Sequence, residues 1–122
     1  MTVGAINNKG DVSTFSNYGQ NVDVLAPGEA IVSILPEENY IFSNGTSVAA
    51  AFVTGETALA LSYNNNITEN CLKQYICISI NKDKARYVNT KSMGRINAHK
   101  LLMNLKKQRN FVNCNYKLDT LP

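Results

Sequence analysis

Asn44-Gly45-Thr46-Ser47-Val48-Ala49-Ala50-Ala51 decides how this chain is read. It follows the apolar run Tyr40-Ile41-Phe42-Ser43 and opens a stretch of small apolar residues that continues past Gly55. A glycine turn at 44–45 that feeds a helix from Thr46 puts Ser47 in the first helical turn. Backbone N–H groups there have no carbonyl four residues back, and they carry the positive end of the helix dipole. A serine hydroxyl exposed at such a turn can serve as a nucleophile. Its own N–H is then placed to meet an oxyanion forming beside it.

Working outward, residues 2–7 are short and β-rich and predict a buried strand. Val22 to Ala26 predicts a second strand, stopped by Pro27-Gly28. Ala30 to Leu35 predicts a third, ended by Pro36, and Tyr40 to Ser43 a fourth. The last two are close enough to form a hairpin around Pro36-Glu37-Glu38-Asn39. Downstream, Thr46 to about Tyr63 predicts a helix that is apolar nearly all round, hence central and buried. Asn64-Asn65-Asn66 ends it, and Thr68-Glu69 caps a second helix that runs to Cys77 or Ser79. Residues 81–86 read as a polar loop, and Tyr87 to Asn89 as a short extended piece. Asn97 to Lys107 predicts a last amphipathic helix, with Ile96, Leu101, Leu102 and Leu105 facing inward. The domain is therefore placed at residues 1–107, and residues 108–122 read as a C-terminal tail.

Apolar residues make up 44% of the chain and charged ones 17%, a globular composition. Its 122 residues suffice for one modest core. The net charge of +3 is spread thinly, with Lys106, Lys107 and Arg109 as its cluster. That cluster ends a helix, where cations complement the dipole, so no nucleic-acid partner is expected. No membrane span is expected either, because Thr46, Ser47, Thr54, Glu56 and Thr57 interrupt the most apolar stretch. Met1-Thr2-Val3 runs straight into a strand pattern, without the basic start and apolar core of a signal peptide. Cys71 and Cys77 lie six apart and point to different sides of a helix, so they should not pair with each other. Buried free thiols are favoured, with a bridge from one of them to Cys114 as the alternative. No metal-ligand spacing is present.

Gly45-Thr46-Ser47-Val48-Ala49-Ala50-Ala51-Phe52-Val53-Thr54-Gly55 resembles the nucleophile motif of the subtilisin-like serine proteases (peptidase S8). The usual form of that motif is Gly-Thr-Ser-Met-Ala-Ser-Pro-His-Val-Ala-Gly. Thr2-Val3-Gly4-Ala5-Ile6, Phe15-Ser16-Asn17-Tyr18-Gly19 and Val22-Asp23-Val24-Leu25-Ala26-Pro27-Gly28 resemble the family's run into the nucleophile. Gly94-Arg95-Ile96-Asn97-Ala98 resembles the block that opens a late helix of the fold. The resemblance covers roughly residues 2 to 105, in blocks that keep the family order.

The resemblance implies an α/β fold, with this chain as the C-terminal portion of a doubly wound parallel-sheet domain. Its central buried helix would start at the nucleophile serine. Ser47 would be that nucleophile and an oxyanion donor through its N–H, with Asn44, Gly45 and Thr46 beside the oxyanion and the substrate cleft. A polypeptide substrate is implied, and an extracellular or secretory location. No cofactor is required, although a structural calcium is compatible with the complete domain. Asp23 falls in a block where some relatives keep an acid near a weak cation site, but a polar strand residue is the favoured reading.

A serine needs a base, and in this family the histidine and the acid precede the serine. The single histidine here is His99, far downstream, and reads as a surface or helix-packing residue. Asp11 reads as a turn residue. The base, the acid and the asparagine oxyanion donor would have to come from a missing N-terminal part of the domain. The chain alone is therefore expected to be nearly inert. Alanine at 51, phenylalanine at 52 and glutamate at 56 depart from the family motif. These departures motivate the alternative of a non-catalytic remnant or interaction module. An α/β-hydrolase elbow fails at the motif, because position 49 is alanine rather than glycine.

Overall fold

The computed structural model describes residues 1–37, 39–82, 90–92 and 94–107. The extended piece expected at Tyr87–Asn89, the tail at 108–122 and Cys114 lie outside the described residues. Strand β1 (Val3–Ile6) pairs in parallel with β2 (Val24–Pro27), in the register Val3 with Val24 through Ile6 with Pro27. Residues 90–92 and 94–96 run along the far side of β2. The Lys91 N–H donates to the Val22 carbonyl at 2.7 Å, the Ser92 N–H to that of Asp23 at 3.1 Å, and the Ile96 N–H to that of Leu25 at 2.9 Å. Gly94 permits this approach, since a Cβ there would lie 2.4 Å from the Asn81 carbonyl oxygen. On the outer edge of β1, loop residues satisfy Ala5. Its N–H donates to Ser16 Oγ at 2.8 Å, and its carbonyl accepts the Ser13 N–H at 3.0 Å.

Strands β3 (Ile31–Ile34) and β4 (Tyr40–Ser43) form the expected antiparallel hairpin, closed by the Leu35 N–H donating to the Asn39 carbonyl at 2.8 Å. Helix α1 (Thr46–Tyr63) packs across β1 and β2, and α2 (Glu69–Ile78) and α3 (Ala98–Lys107) pack against α1. The parallel β1–β2 pair and the helices packed on it are consistent with the expected α/β fold, part of a doubly wound parallel-sheet domain. The main core joins Ala5, Val24 and Ala26 to Ala49, Val53 and Ala60 of α1, Cys71, Tyr75 and Ile76 of α2, and Leu101 and Leu105 of α3. Ile6, Val22 and Leu25 form a smaller cluster, with Val12 against it.

Both later helices start on side-chain caps. Thr68 accepts the Cys71 N–H at 3.4 Å. Asn97 Oδ1 accepts the Lys100 N–H at 2.9 Å, while its Nδ2 donates to Asn81 Oδ1 at 2.8 Å. Asn97 thus ties α3 to the end of α2's connection in one residue.

Two expectations need correction. Helix α1 is not buried all round: its buried residues are Ala49, Val53, Glu56 and Ala60, one stripe at helical spacing. Phe52, Leu59, Leu61 and Tyr63 remain exposed, because the described strands and helices cover a single side of α1. The cysteines are not all free. Cys77 is a buried free thiol, whereas Cys71 is disulfide-bonded. Burial pushes the Cys77 thiol up to about 11, and the nearby Asp23 carboxylate adds to this, so Cys77 is a packing residue rather than a reactive one.

Candidate active site

Ser47 is exposed at the second residue of α1. The turn that delivers it depends on Gly45, whose φ of 156° and ψ of 153° lie in a region essentially restricted to glycine. Gly45 is held from below. Its N–H donates to the Gly28 carbonyl at 2.8 Å, and the Gly28 N–H donates to the Ile6 carbonyl at 3.0 Å. A Cβ on Gly28 would sit 2.7 Å from both the Ala5 Cβ and the Gly45 carbonyl oxygen. The start of α1 therefore rests directly on the ends of β1 and β2.

A second tie comes from Asn44. Its Oδ1 accepts the Ala30 N–H at 2.7 Å, across the base of the β3–β4 hairpin. Ala30 has φ 55°, the left-handed conformation that aims its N–H at this acceptor. Asn44 thus shapes the turn before Ser47 through its side chain.

No side chain caps the N-terminus of α1, and its first turn holds no acidic residue. The first helical bond runs from the Ala49 N–H to the Gly45 carbonyl at 3.2 Å. The N–H groups of Thr46, Ser47 and Val48 are left without intrahelical acceptors, at the positive end of an 18-residue helix. An oxyanion beside Ser47 Oγ would meet donors already fixed in place.

The groups that could activate Ser47 lie elsewhere in this chain. His99 is exposed, next to Ala98, which lines a groove with Gly55, Glu56 and Leu59. Gly55 is eight residues along α1 from Ser47, about 12 Å of helix, so His99 is out of reach as a base. Asp11 sits in a turn: the Asn7 side-chain oxygen accepts its N–H at 3.0 Å. Asp23 is buried, pairs with Lys73 Nζ at 3.1 Å and accepts the Thr2 N–H at 2.8 Å. With a lysine ammonium on its carboxylate, Asp23 ties β2 to α2 and does not fit a cation site. Among the described residues no three His, Cys, Asp or Glu side chains gather as metal ligands. No helix among the described residues is long and apolar enough to cross a membrane.

Glu56 is the unusual member of this helix. It is 5% exposed, and neither carboxylate oxygen has a hydrogen-bond partner of good geometry. Burial pushes its pKa up to about 7, while the backbone N–H of Asn97, at the start of α3, pulls it back down. It lines a groove of about 500 Å³ with Ala51, Phe52, Gly55, Leu59, Ile96 and Ala98. Ser47, Ala51, Gly55 and Leu59 form one row at four-residue spacing, so this open apolar face begins at Ser47.

The subtilase family (Peptidase_S8) model matches residues 1–99. This chain belongs to the subtilase family. It is 38% identical over 100 residues to the thermophilic serine proteinase of Bacillus sp. (strain AK1), which covers 81% of this chain and 24% of that protein. It is 43% identical over 63 residues to the major intracellular serine protease of Bacillus subtilis (strain 168), covering 52% of this chain and 20% of the relative. In structure it is similar to MycP1 from Mycobacterium smegmatis, with a TM-score of 0.70 at 29% identity. That match covers 84% of this chain and 29% of the other. The subtilase chain described here thus spans about a quarter or less of the length of these curated relatives.

The sequence singled out Ser47 and its three neighbours, and in this subtilase they form one turn. Three further residues take on roles in the fold that the sequence does not announce. Gly28 read as a strand stop, Asn97 as a helix start, and Glu56 as a residue out of place. The Pro27-Gly28 pair was the available signal for the first. Nothing in the sequence signalled that Glu56 would lie against the start of α3, since that contact joins residues 41 positions apart.

Proposed function

We propose that this chain is the nucleophile-bearing portion of a subtilisin-like serine endopeptidase that hydrolyses polypeptides through an acyl-enzyme on Ser47. The observation that carries the reading is the placement of Ser47, exposed in the first turn of α1 with free N–H donors beside it. The Oγ attacks the scissile carbonyl, and the C–O bond forms as the Oγ proton passes to a base. The Ser47 N–H and a second donor stabilise the oxyanion. Collapse expels the amine, which takes the proton from the base, and water then releases the acyl group. The base, its acid and the second oxyanion donor come from a polypeptide segment beyond these 122 residues. The open apolar face of α1 that starts at Ser47 supports this, because a segment covering it arrives beside the hydroxyl. Asn44, Gly45 and Thr46 border the cleft.

The test is labelling of the protein as it accumulates in its source cell with a serine-directed fluorophosphonate, read by intact mass. Wild type is expected to gain one label, Ser47→Ala none, and the isolated 122-residue chain none. Losing one oxyanion donor alone lowers turnover by roughly 10²- to 10³-fold. Loss of the base as well makes the isolated chain effectively inert. Absence of label on the source-cell protein would favour the second reading, a degenerate remnant used for interaction. The buried Glu56 on the nucleophile helix is the observation that favours that reading.

A further inference from the structure

The structure holds Cys71 in a disulfide, while Cys77, farther along the same helix, is a free buried thiol. The whole chain has three cysteines, and the third is Cys114, outside the described residues. Helical geometry agrees with the exclusion of Cys77. The two α2 cysteines are about 9 Å apart along the helix axis and point to different sides, beyond what a disulfide can span. The chain is long enough for the remaining pair. Asn104 Nδ2 of α3 donates to Ser79 Oγ at 2.9 Å, and Lys100 Nζ to the Ile80 carbonyl at 3.1 Å, so α3 lies against the end of α2. Leu101 and Leu105 share the core cluster of Cys71. Cys71 precedes Ser79 by about 12 Å of helix, and the stretch from Lys107 to Cys114 can span up to about 25 Å.

We infer that Cys71 and Cys114 form a structural disulfide, which ties the segment after α3 back onto α2 and marks the mature chain as one of an oxidising compartment. Disulfides form and persist in such compartments and are rare in a reducing cytosol. The inference is independent of the protease reading. The bond forms by exchange with a protein or small-molecule disulfide as the oxidant. The Cys71 thiolate attacks one sulfur of the oxidant and releases the other as a thiol. The Cys114 thiolate then displaces the remaining oxidant sulfur. Two thiols become one disulfide, the oxidant is reduced to two thiols, and the two protons end on those. Position selects the pair. Cys71 is in the first turn of α2, where the helix dipole favours a thiolate. Cys77 sits near the other end, and burial, with the nearby Asp23 carboxylate, keeps its thiol protonated, so it competes poorly. Once formed, the bond is shielded, because Cys71 is 3% exposed and lies in the apolar core. The ring it closes contains all of α3, which lowers the entropy of the unfolded chain.

Peptide mapping of the protein as it accumulates in its source decides this. Cells and medium are quenched in acid and unfolded, and free thiols are blocked with N-ethylmaleimide before any reduction. Trypsin then puts each cysteine on its own peptide: Cys71 on 10–73, Cys77 on 74–82 and Cys114 on 110–117. Peptides 10–73 and 110–117 are expected to run joined and to separate on reduction, while 74–82 carries the label. Three labelled peptides overturn the inference, as does 10–73 joined to 74–82 or to any other peptide. Cys114→Ser is the companion variant, because replacing either buried α2 cysteine would disturb the core. In it, 10–73 is expected to take the label, and the melting temperature to fall by roughly 5 °C or more. A reducing agent should lower the wild-type melting temperature to a similar extent and leave the variant unchanged. Equal melting temperatures of oxidised wild type and variant, or a 10–73 peptide still crosslinked in the variant, would show that no such bond ties α2 to the segment after α3.

Discussion

Gly28 leaves no room for a methyl group. The atoms a Cβ would strike, the Ala5 Cβ and the Gly45 carbonyl oxygen, belong to a strand and to the turn that sets Ser47. Neither is the flexible end of a long side chain, so accommodation requires the start of α1 to lift from the sheet. Gly28→Ala is expected to destabilise the fold by about 1–3 kcal/mol, as overpacking does, and urea denaturation of the folded protein would measure it. In the proposed larger protease unit it should also slow fluorophosphonate labelling, because Ser47 moves with Gly45. A variant with wild-type midpoint and labelling rate would show that the turn does not depend on this contact. At this scale the sequence was informative where a residue type has a local reason. Gly45 is needed for its backbone angles, and the neighbouring asparagine supplies a turn acceptor. Gly28 is needed for a contact made at a distance along the chain, and no local pattern announces that.

The helices show how far periodicity carries. The first residue of each later helix, and nearly the last, follow from Thr68, Asn97 and the apolar spacing between caps. Leu101 and Leu105 are fully buried, as their four-residue spacing requires, while Leu102 is half-buried at the margin. Thr68→Ala removes the acceptor of the Cys71 N–H and is expected to lower stability by about 1 kcal/mol, measured as a shift in the denaturation midpoint. Thr68→Asn should restore most of it. If alanine and asparagine behave alike, the 3.4 Å cap contributes nothing. For α1 the same reasoning overreached. A helix apolar on every side is expected to be buried on every side, yet only the stripe Ala49, Val53, Glu56 and Ala60 is. Composition states what a helix can bury; which sides are covered depends on what is folded around it.

Over the whole molecule, the open face of α1 and the buried carboxyl on its margin make stability depend on pH. The Glu56 pKa rises from 4.5 to about 7 on folding, through burial. The folded state therefore holds this proton more tightly than the unfolded chain does. The contribution is fully present below about 4.5 and is lost as pH rises through about 7, with no further change above. The isolated 122-residue chain should thus lose stability between pH 5 and pH 8, and Glu56→Gln should remove that part of the loss. Paired melts at the two pH values measure it, and equal losses in both proteins would place the titrating group elsewhere.

What the sequence determined by itself was the local chemistry: the turn that presents Ser47, the hairpin, the limits of the helices, and the family to which their order belongs. Each rests on residues close together in the chain, whose backbone preferences act before any tertiary contact forms. The tertiary structure decided which face of α1 is covered and that Asp23 pairs with Lys73. It also brought Gly28 under Ser47's turn and Glu56 against the start of α3. Those outcomes depend on distances between elements, which the packing of strands and helices sets and which no stretch of sequence carries alone.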